Sequence, residues 1–311
     1  MTLAFVERRL QRLHQQSRIA AGSLIVSVFG DAVLPRGGGI WLGSLIGLMQ
    51  QLGVNERLVR TAVFRLVKED WLYTQTQGRR ANYHLTAVGQ RRFDEAARHI
   101  YAAHAPVWDG HWRMLVPAGE LDARHRESLR RALHWQGFGE VNSGTFLHPS
   151  ADLAETLDAL AADGLGAVLP QLMPLLASQP ALQPAASHAT LVGRAWNLEQ
   201  LAQGYAQFMA DYRPLRKELD SVQDTTIAPR SAFLARSLMI HDFRRLLLQD
   251  PELPADLLPR NWPGEQARTL CAGIYGLLLQ PSEHYLDENF ALAGGHASDP
   301  TGLLAQRFRA D

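Results

Sequence analysis

Residues 41–85 constrain this chain more than any other stretch, because two helical periods and one strand period follow each other there without a gap. Trp41, Leu42, Leu45, Ile46, Leu48, Met49 and Leu52 recur at the 3.6-residue spacing of an amphipathic helix. Gly53 then supplies a left-handed stop. Asn55 is a good N-cap for a second helix running to about Asp70, since its side chain can accept from an orphan amide of the first turn. After Trp71 the pattern changes to alternation. Residues 72–76 and 81–85 read as two strands, joined by the turn Gln77-Gly78-Arg79-Arg80. Upstream, an apolar helix over residues 19–29 is ended by Pro35-Arg36-Gly37-Gly38-Gly39, and downstream Thr86 caps a further helix to about Ala103. Helix, turn, helix and hairpin in this order predict a winged helix-turn-helix.

A helical wheel of residues 54–69 gives that fold a purpose. At 100° per residue, Leu58, Val59, Ala62, Val63 and Leu66 share one face, and Arg57, Arg60, Thr61, Phe64 and Lys68 share the opposite one, with Arg65 beside them. One side is expected to pack while the other presents cations, a hydroxyl and an aromatic ring. Those are the groups that read a DNA major groove: arginine pairs with guanine, threonine and phenylalanine touch a thymine methyl, and lysine holds phosphate. At the hairpin tip Gly78 can take a positive φ and present Arg79 and Arg80 to phosphate or the minor groove. Asn55, Arg57, Arg60, Thr61, Phe64, Arg65, Lys68, Arg79 and Arg80 are therefore the expected DNA-binding residues.

Charge supports a polyanionic partner. The chain of 311 residues has zero formal net charge, yet residues 1–100 hold 14 Lys and Arg against 7 Asp and Glu, and the remainder 17 against 24. A single cysteine, Cys271, leaves no internal disulfide framework and fits a reducing cytoplasm. The apolar stretch 19–34 is too short for a membrane span and carries Asp31, so no membrane association is expected.

The pattern after His104-Ala105-Pro106 sets out two more regions. A strand at 111–116, a helix at 122–136, a strand region at 138–147 and a helix from Pro149-Ser150 to Asp163-Gly164 predict a ferredoxin-like α/β middle domain. Prolines 170, 174, 180 and 184 obscure the pattern between residues 164 and 188. From Trp196 the pattern is helical, over about 197–219, 228–249, 264–280 and 282–292, with an elbow at 250–254. The expected class is α+β and mainly helical, in three domains: residues 1–105, 106–193 and 194–311.

No nucleophile elbow, P-loop or dinucleotide fingerprint is present in the sequence, and the 12 histidines have no metal-like helical spacing. An enzyme is therefore not expected, nor a cofactor or metal. Two other readings stay open at this point: a nucleic-acid-processing enzyme built on the middle domain, and a winged helix used for protein contacts.

The stretch SLIVSVFGDAVLPRGGGIWLGSLIGLMQQLGVNERLVRTAVFRLVKEDWL, with GRRANYHLT after it, resembles the PaaX family of phenylacetic-acid-degradation repressors. The resemblance continues through WDGHWRMLV, HWQGFGEV and IHDFRRLLLQDPELPADLLPRNWPGEQARTLCAGIY, and so covers most of the chain. It implies a cytoplasmic, dimeric repressor of aromatic catabolism genes, bound to double-stranded operator DNA and released by an aryl-CoA inducer, phenylacetyl-CoA. Such a thioester needs basic groups beside an apolar pocket. In the C-terminal half Trp196, Tyr205, Tyr212, Arg213, His241, Arg244, Arg245 and Trp262 offer those groups, and they are the expected effector contacts.

Overall fold

The computed structural model describes residues 2–15, 21–142, 144–178, 187–221 and 227–309. In chain order the elements are α1 (Ala4–Gln15), α2 (Ala21–Val28), β1 (Gly39–Trp41), α3 (Leu42–Gln51), α4 (Glu56–Lys68), β2 (Leu72–Gln77), β3 (Arg80–Leu85) and α5 (Ala87–Ile100). Next come β4 (His111–Pro117), α6 (Ala123–Trp135), β5 (Gly139–Asn142), β6 (Thr145–His148), α7 (Leu153–Leu160), β7 (Leu172–Ser178) and α8 (His188–Ala195). The rest is helical: α9 (Leu198–Asp220), α10 (Pro229–Leu247), α11 (Pro263–Asn289) and the short α12 (Thr301–Leu304). The fold is α+β and mainly helical, as expected. The start of the expected helix at residues 19–20 and prolines 180 and 184 lie outside the described residues.

The chain forms two compact units. One comprises Met1–Ala103, Ala206–Arg245 and Gln266–Asp311; the other comprises His104–Tyr205 and Leu246–Glu265. Residues 194–311 are thus divided between the two.

In the first unit a winged helix is built as the sequence pattern dictates. Leu24, Ile25 and Val28 of α2, Leu45, Leu48 and Met49 of α3, and Val59, Val63 and Leu66 of α4 are all buried. The hairpin β2–β3 pairs in register from Leu72 opposite Leu85 to Gln77 opposite Arg80. A third strand, β1, completes the sheet in the order β1-β3-β2. Residues 39–41, expected to be loop and helix start, pair with β3 from Gly39↔His84 to Trp41↔Asn82. Gly39 is required there, since a Cβ would lie 2.2 Å from the His84 ring.

The helical part of this unit surrounds α10, in which every residue from 231 to 241 is buried. A helix buried on all sides is a core helix, and its polar residues Ser231, Arg236, Ser237 and His241 are buried with the rest. Into this core the chain inserts Asp31, at a π-helical widening (Phe29–Val33) that extends α2 further than the periodicity predicted. The two helices expected at 264–280 and 282–292 are one, α11, which continues through Pro281. A proline inside a helix costs about 3 kcal/mol through the lost amide. Burial of Leu278, Ser282 and Leu286 around it holds the helix against the body.

The second unit has the ferredoxin-like β-α-β-β-α-β order, with sheet order β5-β6-β4-β7 and every pairing antiparallel. Because neighbouring strand residues face opposite sides, the sheet has two cores. Leu115 and Phe146 pack with Leu129, Leu133 and Leu160 of α6 and α7. Trp112 and Leu147 pack on the other side with Val192 and Ala195 of α8 and with Leu253 and Leu257. β7, hidden from sequence by its proline, is an edge strand, where a missing amide is tolerated.

Candidate nucleic-acid interface

The cap of α4 forms as the sequence requires. The Asn55 side chain accepts from the Leu58 amide at 3.0 Å, so this residue sets where the helix begins. Val59, Val63 and Leu66 face the core, while Arg57, Arg60, Thr61, Arg65 and Lys68 are exposed. Phe64 is 72% exposed, a large ring left in water on the face opposite the core. Leu58, expected on the packing face, is 40% exposed instead. It lies about 100° from Val59, at the margin of the buried face, where no neighbour covers it.

Two of the cations are tethered along the helix. Arg60 donates from Nε to Glu56 Oε1 at 2.8 Å, and Arg65 from Nε to Glu69 Oε1 at 2.6 Å. Both are exposed i,i+4 pairs and contribute little to stability. They do hold each guanidinium in place beside a carboxylate that a phosphate or base could replace. Glu56 and Glu69 flank this face, and their four-residue spacing from Arg60 and Arg65 is the sequence signal for both pairs. Arg57 and Lys68 have no ion pair among the described residues. Thr61 donates its hydroxyl to Arg57 O at 2.9 Å, which leaves the methyl for an apolar contact.

At the wing Gly78 has φ 60°, and no side chain would clash with a Cβ there, so the tip is open. Arg79 is exposed beside it. Arg80 does not extend freely from the tip: its guanidinium lies 5.0 Å from the Trp41 ring centroid, so a cation–π contact steers it back along the sheet.

The residues expected to contact an effector are distributed over both units. In the first, Tyr212 donates to Asp242 Oδ2 at 2.6 Å, and Arg9 donates to the same oxygen at 2.5 Å. His241 Nδ1 lies 2.9 Å from Ser27 Oγ, and Arg244 donates to Ser27 Oγ at 3.0 Å and Ser23 Oγ at 2.7 Å. Burial lowers the His241 pKa to about 4, so its ring is neutral. These side chains bind α10 and α9 to the N-terminal helices. Arg213 and Arg245 are exposed. In the second unit Trp196 donates to Gly137 O at 3.0 Å, and Trp262 packs edge-on against Tyr205, whose hydroxyl donates to Asp250.

Among the described residues no helix is long and apolar enough to cross a membrane, and no group of three or more His, Cys, Asp or Glu side chains could hold a metal ion.

Three family models match the chain in sequence: PaaX-like protein over residues 20–89, PaaX protein central Cas2-like domain over 105–172, and PaaX-like protein C-terminal domain over 196–288. The transcriptional repressor PaaX of Escherichia coli (strain K12) is 37% identical over 293 residues, which cover 93% of this chain and 90% of that protein. A solved structure of an uncharacterised protein from Mycobacterium tuberculosis superposes with a TM-score of 0.53 at 25% identity, covering 85% of this chain and 97% of the other. With three family models matched in chain order and 37% identity to a PaaX repressor over 93% of its length, this chain belongs to the PaaX family.

Proposed function

We propose that this chain is a DNA-binding transcriptional repressor that inserts α4 into the major groove of an operator. The observation that carries this is the outer face of α4. It presents Arg57, Arg60, Thr61, Phe64, Arg65 and Lys68 to solvent, on a helix fixed by the Asn55 cap and three buried anchors. An exposed phenylalanine between cations has no use in water, but it has one against a thymine methyl. Arg79 at the wing tip supplies a phosphate contact that sets position rather than sequence. Kinship with a protein named as a transcriptional repressor supports the same reading.

The controlled genes are those of phenylacetate catabolism, and the inducer is an aryl-CoA thioester, phenylacetyl-CoA. The protein acts in the cytoplasm as a homodimer. Its two copies of α4 are set about 34 Å apart, one turn of B-DNA, on a near-palindromic operator. The thioester favours a form with another spacing, and shifts the balance only by its differential affinity for the two forms.

A gel-shift with the DNA upstream of the protein's own and neighbouring genes tests this, with and without phenylacetyl-CoA. A shifted band abolished by the thioester but not by free phenylacetate is expected. No shift at low salt would overturn the repressor reading, and a shift indifferent to the thioester would overturn the inducer.

A further inference from the structure

Within the second unit, a cleft of about 640 Å³ opens between α6 and the turn after α7. Arg124, Ser128, Arg131 and Trp135 of α6 form one wall; Asp163, Gly164 and Leu165 form the other. The α6 residues are spaced four, three and four apart, so they make a single stripe along the helix. The opposite wall is fixed by Leu165, which is buried in the α6–α7 core, and by Gly164, whose φ of 82° turns the chain there.

The cations of α6 are not equivalent. Arg130 is neutralised by Glu127 and Glu140, and Arg126 donates to Leu121 O. Arg124 and Arg131, the two that line the cleft, meet no carboxylate among the described residues. Arg131 reaches only Ser128 Oγ and Glu127 O, both at 3.4 Å. Trp135 ends the stripe with 80% of its surface exposed, on a helix whose two leucines, Leu129 and Leu133, are buried. A solvated helix face needs no indole, and a tryptophan left in water on one stripe with two guanidinium groups that meet no carboxylate among the described residues suits a ligand that is flat at one end and anionic at the other.

We infer that this cleft binds a nucleoside-diphosphate-bearing ligand. The base stacks on Trp135, as bases do on exposed aromatic rings. Arg131, one turn or about 6 Å along the helix, and Arg124 beyond it take the phosphates, which guanidinium groups recognise in bidentate fashion. Asp163 across the cleft is an acceptor for a sugar hydroxyl. If the effector reading holds, on which this step alone rests, the ligand is the coenzyme A portion of the thioester.

The test is calorimetric titration of the full-length chain with coenzyme A and, separately, with ADP. Both are expected to bind. Arg131→Ala and Trp135→Ala should each weaken binding by ~10-fold or more, the loss of one charge-assisted contact or one stacking platform. Trp135→Phe should restore most of the affinity, and Lys217→Ala, an exposed cation outside the cleft, should leave it unchanged. These cleft side chains lie at the surface, so circular dichroism should be that of the parent chain. Absence of binding by either probe, or equal binding by parent and cleft variants, would overturn the inference. Gel-shifts on the same variants separate it from the repressor reading. If phenylacetyl-CoA releases operator from Arg131→Ala as readily as from the parent, the inducer stands and the cleft falls. If coenzyme A binding needs Arg131 while operator release ignores the thioester, the cleft stands and the inducer falls. Weaker operator binding by the cleft variants with no nucleotide bound would make the stripe a DNA contact, and that too overturns the inference.

Discussion

Arg236 Nε donates to Asp31 Oδ2 at 2.7 Å, and neither side chain reaches water. Arg307 Nη1, at 2.8 Å, and the Tyr101 hydroxyl, at 2.8 Å, converge on the other carboxylate oxygen. Burial by itself would raise the Asp31 pKa; the two guanidinium groups and the Tyr101 hydroxyl outweigh it and hold the carboxyl below its ordinary value. Arg236 also meets Glu283 and Ser282 of α11. One carboxylate at the end of the first winged-helix core segment thereby binds α10, α11 and the C-terminal segment of the same unit.

Removing that carboxylate should be costly because two cations would remain buried beside a neutral partner. Asp31→Asn is expected to destabilise the chain by about 3–5 kcal/mol, the usual result of breaking a buried ion pair from one side. Urea unfolding checks it: a loss below about 1 kcal/mol would mean that the cluster relaxes into water instead of relying on its charges.

Much of the exposed face of α4 was legible in the sequence because it depends on one local rule. The rotation of α4 alone separates Val59 and Val63 from Arg57 and Phe64. Leu58 departed from that pattern because a residue at the margin is buried only if a neighbour covers it, and neighbours are tertiary facts. β1 escaped for a related reason: three residues are too few for alternation to register, and they become a strand only because β3 offers an edge. Asp31 was visible as a lone charge in an apolar run. Its arginine partners lie 205 and 276 residues away, beyond any pattern. The same holds for Arg244, legible as a cation but not as the partner of Ser23 and Ser27.

Arg60 is expected to make a base contact, after exchanging its bond to Glu56 for one to DNA. Arg60→Ala should weaken operator binding by about 1–3 kcal/mol and relax base preference at one position. Glu56→Gln should tighten binding to all DNA several-fold, since it removes a competing carboxylate and a negative charge near phosphate. Fluorescence anisotropy on operator and random duplexes reads both. Equal losses on the two duplexes for Arg60→Ala would make it a phosphate contact.

Arg79 should behave differently, because an open hairpin tip presents its charge to phosphate and not to a base edge. Arg79→Ala is expected to lower affinity for specific and random DNA alike and to reduce the slope of log K against log salt by about 1. A loss confined to the operator would instead place Arg79 in a groove, reading sequence.

The second unit carries a pH dependence of its own. Burial, with Arg113 nearby, lowers the His148 pKa from 6.5 to about 4. Its Nδ1 accepts from the Ser150 and Ala151 amides at 3.0 and 2.8 Å, a role open only to the neutral ring. Well above pH 6.5 neither the folded nor the unfolded chain protonates this histidine, and its contribution to stability is complete. As pH falls from 6.5 towards 4 the unfolded chain takes up a proton that the folded chain refuses, so stability should fall by up to about 1.4 kcal/mol per unit. His241 in the first unit acts in the same direction. His148→Asn keeps an acceptor for the two amides while removing the titration. Urea midpoints at pH 7.5, 6 and 5 should therefore drop less steeply for this variant than for the parent. Identical slopes would mean that His148 is protonated inside the fold, with its two amide bonds given up.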